Sequence, residues 1–259
     1  MRGAAILFVL ITALAGHGAR AASNEVGVLL MHGKGGSPSG YIAELVAGLQ
    51  AKGYLVSAPA LPWSKERIYD ASFEDSMAEI EREVQSLRRK GAKLVVVGGQ
   101  SIGANVALGY GASRGGIEGI IALAAAHSPE SAIFAKRLGG EVSRARGLVA
   151  AGKGKDKQHF SELNQGTLIE VTASAEVYLS WLAPEGPAVM PRSAAAFKAP
   201  VPLLVVNGLA DRTASDRSYF FDKAPPHPKS RFVTVGADHF AVPSAAIDVV
   251  GDWLSELAR

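Results

Sequence analysis

Leu94-Val95-Val96-Val97-Gly98-Gly99-Gln100-Ser101-Ile102-Gly103-Ala104-Asn105 is the stretch around which the rest of the chain is arranged. Its β-branched apolar start has the character of a buried strand, and the small residues from Ala104 to Gly109 read as the beginning of a helix. Between them Gly99, Ser101 and Gly103 define one sharp turn. A Cβ two residues before or after the serine would crowd the adjoining strand and helix, so glycine is required at both places. A serine held in that strained backbone projects its hydroxyl clear of the sheet.

Upstream, Glu25 to Met31 is a short apolar strand ending at His32-Gly33-Lys34-Gly35-Gly36, a turn rich enough in glycine to face backbone amides outward. Ile42, Leu45, Val46 and Leu49 recur at helical spacing up to Lys52-Gly53, and Tyr54 to Ser57 reads as a second strand. Ala58 to Trp63 is a proline-broken loop. Phe73, Met77, Ile80, Val84 and Leu87 then line one face of an amphipathic helix from about Ser72 to Lys90. Downstream of the serine, Gly119 to Ala124 is another strand. This alternation predicts an α/β fold, a mostly parallel open sheet with right-handed crossovers and helices on both faces.

The rhythm breaks at about residues 126–199, far more chain than a simple connection needs, and a small inserted cap is expected there. Ala132 to Leu138 and Leu168 to Leu182 read as helix, Ala151 to Gln158 as mobile Gly/Lys-rich chain, and Pro184 to Pro191 as a linker. Seven Lys/Arg stand between residues 131 and 160 against Glu141 and Asp156, a balance equally compatible with a solvated surface. The pattern then resumes with a strand at Val201 to Asn207, a helix from about Ser215 to Lys223, a strand at Arg231 to Val235 and a last helix from Ser244 to Leu257.

Residues 1–22 differ in kind. Arg2 precedes an apolar run from Ala4 to Ala15, and Ala19-Arg20-Ala21 offers a small-x-small cleavage site, the signature of a secretory signal peptide. The run is too short to span a bilayer, so no transmembrane segment is expected after cleavage, and the domain occupies residues 23–259. The expected address is periplasmic or extracellular in a bacterium. Losing Arg2 and Arg20 lowers the basic count from 27 to 25 against 24 acidic residues, which leaves no charge argument for nucleic acid. The chain has no cysteine, so a thiol nucleophile, disulfides and a Cys-based zinc site are all excluded. It also lacks Gly-x-Gly-x-x-Gly, a phosphate loop and His-Glu-x-x-His, so no cofactor or metal is expected. No feature of the sequence speaks to oligomeric state.

A serine hydroxyl near neutral pH needs a base within reach, and that base needs an acid to fix its tautomer. Loops at the carboxyl ends of parallel strands are where such groups meet. Ser101 follows the strand at 93–97, Asp211 follows that at 201–207, and His239 follows that at 231–235, all at one sheet edge. Asp238 adjoins His239, but an immediate neighbour points away from it, so Asp211 is preferred.

With those motifs assembled, the chain resembles an α/β-hydrolase, near the dienelactone-hydrolase-like and carboxylesterase-like branch, over nearly the whole mature sequence. The elbow matches at Gly99 to Gly103, the His-Gly-rich oxyanion turn at His32 to Gly36, the Gly-x-x-Asp at Gly208 to Asp211 and the terminal Gly-x-x-His at Gly236 to His239. The resemblance implies that Ser101 attacks an acyl carbonyl, His239 moves the proton and Asp211 orients His239. True dienelactone hydrolases carry a cysteine at the position of Ser101, so their substrate does not transfer.

The tetrahedral intermediate needs two converging amides. Ile102, at the helix start, supplies one, and Lys34, between Gly33 and Gly35, the other; the Lys34 side chain is expected to face either substrate or solvent. His32 opens the oxyanion turn and is expected to pin it rather than serve as base. Trp63 and His127 lie at the catalytic edge as candidate pocket residues, with a core or structural role open to both. His159 and His227 carry no local signal. The expected activity is hydrolysis of a small-molecule carboxylic ester; the same triad also serves peptidases, amidases and acyltransferases. A silent binding protein on this fold would show a broken triad position, and none is broken.

Overall fold

A computed structural model describes residues 24–259, so the signal-peptide segment lies outside the described residues. Val26–Met31 (β1), Ala43–Ala51 (α1), Leu55–Ser57 (β2), Phe73–Arg89 (α2) and Leu94–Gln100 (β3) come first. Ile102–Ser113 (α3) and Gly119–Leu123 (β4) follow, and the interrupted region holds Ala132–Ala150 (α4), Lys157–Asn164 (β5), Thr167–Ser174 (β6), Ala175–Leu182 (α5) and Met190–Ala195 (α6). Leu203–Gly208 (β7), Arg231–Val235 (β8), Val242–Ala245 (α7) and Ile247–Leu257 (α8) complete the layer.

The main sheet has six strands in the order β2-β1-β3-β4-β7-β8, and every pairing in it is parallel. Its apolar runs are buried on both faces because successive side chains enter opposite layers. Leu29, Met31, Val95, Val97, Ala122 and Val205 pack with α2 and α3, whereas Val28, Leu30, Val96, Ile121 and Val206 pack with α1 and α8. Burying each such aliphatic side chain contributes about 1.5–3 kcal/mol.

α2 shows how local sequence sets an element. Ser72 caps it by accepting from the Asp75 amide, acidic Glu74 and Asp75 sit in its first turn, and Arg88 and Arg89 close the last turn, all favourable to the helix dipole. Gly91, with φ +102°, ends it.

The insertion departs from expectation at its centre. The segment read as helix from Leu168 begins as β6, which pairs antiparallel with β5 as a two-stranded hairpin, and only Ala175–Leu182 is helical. Gln165 and Gly166 make the turn with φ of +48° and +80°, the two positive values that a tight hairpin favours. Lys157 already belongs to β5, although Ala151 to Gln158 was expected as loose chain. The helix expected over 215–223 reduces to a single 3₁₀ turn, Phe221–Lys223. There Asp216 takes the Ser218 amide and hydroxyl, a local bond that competes with helix formation. α5 docks the insertion on the main layer. Trp181 packs at 5.6, 5.3 and 5.1 Å from the rings of Trp63, Tyr69 and Phe73, and its indole donates to Ala71 O.

Candidate active site

Parallel register brings the carboxyl ends of β1, β3, β4, β7 and β8 to one edge, with Met31 opposite Gly99, Gln100 opposite Leu123 and Gly208 opposite Val235. Ser101, directly after β3, has φ +59° and ψ −120°, a conformation costly for a residue with a Cβ. It is held by its amide bond to Leu123 O and by the Ala104 amide bonding its own carbonyl. A Cβ on Gly99 would come within 2.7 Å of Met31 O, and one on Gly103 within 2.6 Å of the same oxygen. The two glycines therefore let helix, strand and serine turn share one small volume.

Asp211 and His239 meet across the β7 and β8 loops. His239 Nδ1 lies 2.8 Å from Asp211 Oδ2, with both side chains almost fully buried. Gly208 permits the approach, since a Cβ there would stand 2.3 Å from Ala237 O. The other carboxylate oxygen, Oδ1, accepts from the Thr213 amide and the Thr213 hydroxyl at 2.8 and 2.7 Å. Burial pushes the Asp211 carboxyl up, but the two Thr213 bonds and His239 outweigh it and leave it below its ordinary value. The neighbouring acid, Asp238, turns away and accepts from the Phe240 and Ala241 amides ahead of α7. Gln100 Nε2 donates to His239 O, fixing the histidine loop to the strand that carries Ser101. Thr213 and Gln100 are supports that sequence reasoning missed. Each stands two residues or fewer from Asp211 or Ser101, and that proximity was the available signal.

His32 accepts the Leu61 amide at Nε2 and so donates from Nδ1 to Gly33 O. Burial above all holds it below its ordinary value, neutral and fully engaged within the loop. Trp63, a candidate for the pocket wall, is 1% exposed and lies outside the cavity lining. Its indole donates to His32 O while its carbonyl accepts the Gly35 amide, so it braces the glycine turn from behind. Of the two expectations for the Lys34 side chain, the solvent-facing one fails, and Lys34 lines the cavity beside Ser101. It runs inward and is 7% exposed, with Nζ 2.8 Å from Glu162 Oε1 and 2.8 Å from Leu163 O.

A cavity of about 370 Å³ opens beside Ser101, lined by Lys34, His127, Phe134, Leu163, Gln165 and Thr213 among others. His127 thus does line it, with φ +77° and Nε2 bonded to Trp181 O. Burial, assisted by Lys34, pushes its pKa down to about 4, so the ring is neutral and Nδ1 is an unpartnered acceptor. Among the described residues no group of three or more His, Asp or Glu is arranged to hold a metal ion.

The serine turn, the acid–base pair and the glycine-rich loop on one parallel sheet define a class of protein, and comparison with known proteins agrees. Residues 28–253 match the model of the alpha/beta hydrolase family, and the chain belongs to that family. No curated protein matches the chain. Among solved structures it resembles the metagenome-derived lipolytic enzymes LipS and LipT, at 18% identity and a TM-score of 0.60, covering 88% of this chain and 91% of that one. A putative hydrolase from Agrobacterium vitis S4 aligns at 15% identity and a TM-score of 0.64, over 92% and 89% of the two chains. Est1E from Butyrivibrio proteoclasticus, solved with ferulic acid, aligns at 15% and 0.57, over 89% and 86%. At these identities the likeness is one of fold. Among the described residues no helix is long and apolar enough to cross a membrane.

Proposed function

We propose that the protein is an exported serine hydrolase that cleaves a small or medium carboxylic ester through an acyl-enzyme. The observation that carries this reading is the 2.8 Å Asp211–His239 pair on the same sheet edge as a serine held at φ +59°. His239 Nε2 takes the Ser101 proton as Oγ bonds to the acyl carbon, and the Ile102 and Lys34 amides receive the resulting oxyanion. The tetrahedral adduct collapses, the C–O bond to the alcohol breaks, and the alkoxide leaves with the proton from His239. Water then repeats the sequence on the acyl-enzyme, releasing the acid and restoring Ser101. Asp211 stays ionised throughout and orients the ring. The cavity's volume of about 370 Å³ and its Ile133, Phe134 and Leu163 walls suit a modest apolar acyl or alcohol group. Export is proposed on the apolar start and small-x-small site within residues 1–22.

Hydrolysis of a chromogenic short-chain ester tests the reading. Ser101→Ala should lower kcat by about 10⁴-fold or more while leaving circular dichroism and Tm unchanged. Undiminished turnover in that variant contradicts it.

A further inference from the structure

Glu162 is the least expected side chain near Ser101. It stands on β5 with no exposure at all, inside an insertion that is otherwise free to use apolar residues. Removing a carboxylate from water costs several kcal/mol, and a buried ion pair is often no more stable than well-packed apolar side chains of the same volume. Stability alone therefore gives a weak reason for this arrangement.

The other end of the pair supplies a better one. Lys34 is the one residue of Gly33-Lys34-Gly35-Gly36 that carries a side chain, so it alone can tie the turn to another element by a side-chain bond. Gly35 has φ +61°, its amide donates to Trp63 O, and the Gly36 amide donates back to Gly33 O. The peptide between Gly33 and Lys34, whose amide is the proposed second oxyanion donor, is held at its carbonyl by His32 Nδ1 and the Gly36 amide, and the Lys34 stem adds the tether that reaches it from the inserted hairpin. That stem is fastened at its tip by two charge-assisted or polar bonds, to Glu162 Oε1 and to Leu163 O. Burial pushes the Glu162 carboxyl up, yet Lys34 above all, with His127 and Tyr69, leaves it below its ordinary value, so it is ionised. Oε1 also accepts the Leu163 amide at 3.3 Å, and the remaining oxygen, Oε2, is buried near the Tyr69 hydroxyl.

We propose that Glu162 is a positioning residue: by gripping the Lys34 ammonium from the inserted hairpin, it sets the oxyanion amide of residue 34 and locks the hairpin over Ser101. The same grip fixes Leu163 to Gly166, which line the cavity, so substrate fit and oxyanion geometry are set together. This rests on the serine-hydrolase reading, with the Lys34 amide as donor.

Two variants test it, Glu162→Gln and the apolar pair Lys34→Met with Glu162→Leu. The readouts are Tm, kcat and KM on a chromogenic short-chain ester, and the inhibition constant of an alkylboronic acid, which mimics the tetrahedral adduct. Glu162→Gln is expected to lower kcat by about 10- to 100-fold, short of the loss of a whole oxyanion donor, with KM within about threefold and boronate affinity falling in parallel with kcat. The double variant is expected to recover Tm but not kcat, since burial without charge restores packing and not the tether. Recovery of kcat together with Tm would assign Glu162 a purely structural role and overturn the proposal. Should the double variant not fold, Glu162→Gln decides alone: wild-type kcat and boronate affinity, or a change confined to KM, refutes the proposal. A wild-type protein that neither hydrolyses esters nor binds boronate overturns the serine-hydrolase reading and this proposal with it, an outcome distinct from failure at Glu162 in an active enzyme.

Discussion

Thr213 holds one carboxylate oxygen of Asp211 with both its amide and its hydroxyl, and its hydroxyl also lies 3.1 Å from His239 Nδ1. Thr213→Val keeps the amide bond and the shape but frees Oδ1 to rotate away from its alignment. We expect kcat to fall about tenfold with KM little changed, as for a lost interaction worth about 1.4 kcal/mol in the transition state. Steady-state kinetics at saturating ester checks this. His127 makes a prediction about pH. Its folded pKa of about 4 lies below the ordinary 6.5, so the unfolded chain takes up a proton that the native protein refuses. Stability is then intact above pH 6.5 and falls progressively toward pH 4, by about 3 kcal/mol if the whole shift is realised. Asp211, whose carboxyl is lowered, contributes stability above its unfolded value near 3.8 that is lost only at lower pH, so the two windows separate. His127→Asn tolerates the φ of +77° and should flatten the pH 4–6.5 decline in urea unfolding. A decline equal to wild type would refute the assignment. At this scale the sequence was legible in placement, since Ser101 sits in the expected turn and Asp211 and His239 meet at 2.8 Å as their positions after strands required. It was silent on Lys34, because whether a lysine points outward depends on a partner 128 residues away.

Elements followed the same division. Strands buried on both faces announce themselves as apolar runs, and β1, β3, β4 and β7 could be read with little loss. The β5–β6 hairpin could not, because Leu168, Val171, Ala175 and Tyr178 fall at helical intervals by coincidence across the end of a strand and the start of α5. Asn164-Gln165-Gly166-Thr167 was the overlooked signal, a polar-glycine turn between two alternating segments. The elbow gives the sharpest element-scale test. In Gly103→Ala the added methyl would meet the main-chain oxygens of Met31 and His32 at 2.6 and 2.8 Å, atoms that cannot turn aside. We expect destabilisation of about 2–4 kcal/mol, or insoluble protein, against a change within about 1 kcal/mol for Gly140→Ala, where nothing lies within 4 Å. Equal Tm values for the two would contradict the packing described for the turn.

Across the whole molecule, five strand ends bring the glycine-rich loop, Ser101, a cavity wall, Asp211 and His239 to one edge, and an insertion between β4 and β7 lies beside them. The main sheet contributes fixed geometry, and the insertion contributes the pocket's far wall and the carboxylate that reaches back to Lys34. Fold and chemistry are thus shared by the whole chain, whereas the shape of the pocket belongs to residues whose sequence has little periodicity to read. The proposed chemistry requires Ser101 to be a nucleophile driven by His239. Intact mass and peptide mapping after reaction with a fluorophosphonate measure that directly. One adduct is expected, located on Ser101, absent from Ser101→Ala and formed at least about 100-fold more slowly in His239→Gln. No adduct on the wild-type protein, or an adduct that persists in Ser101→Ala, would contradict it.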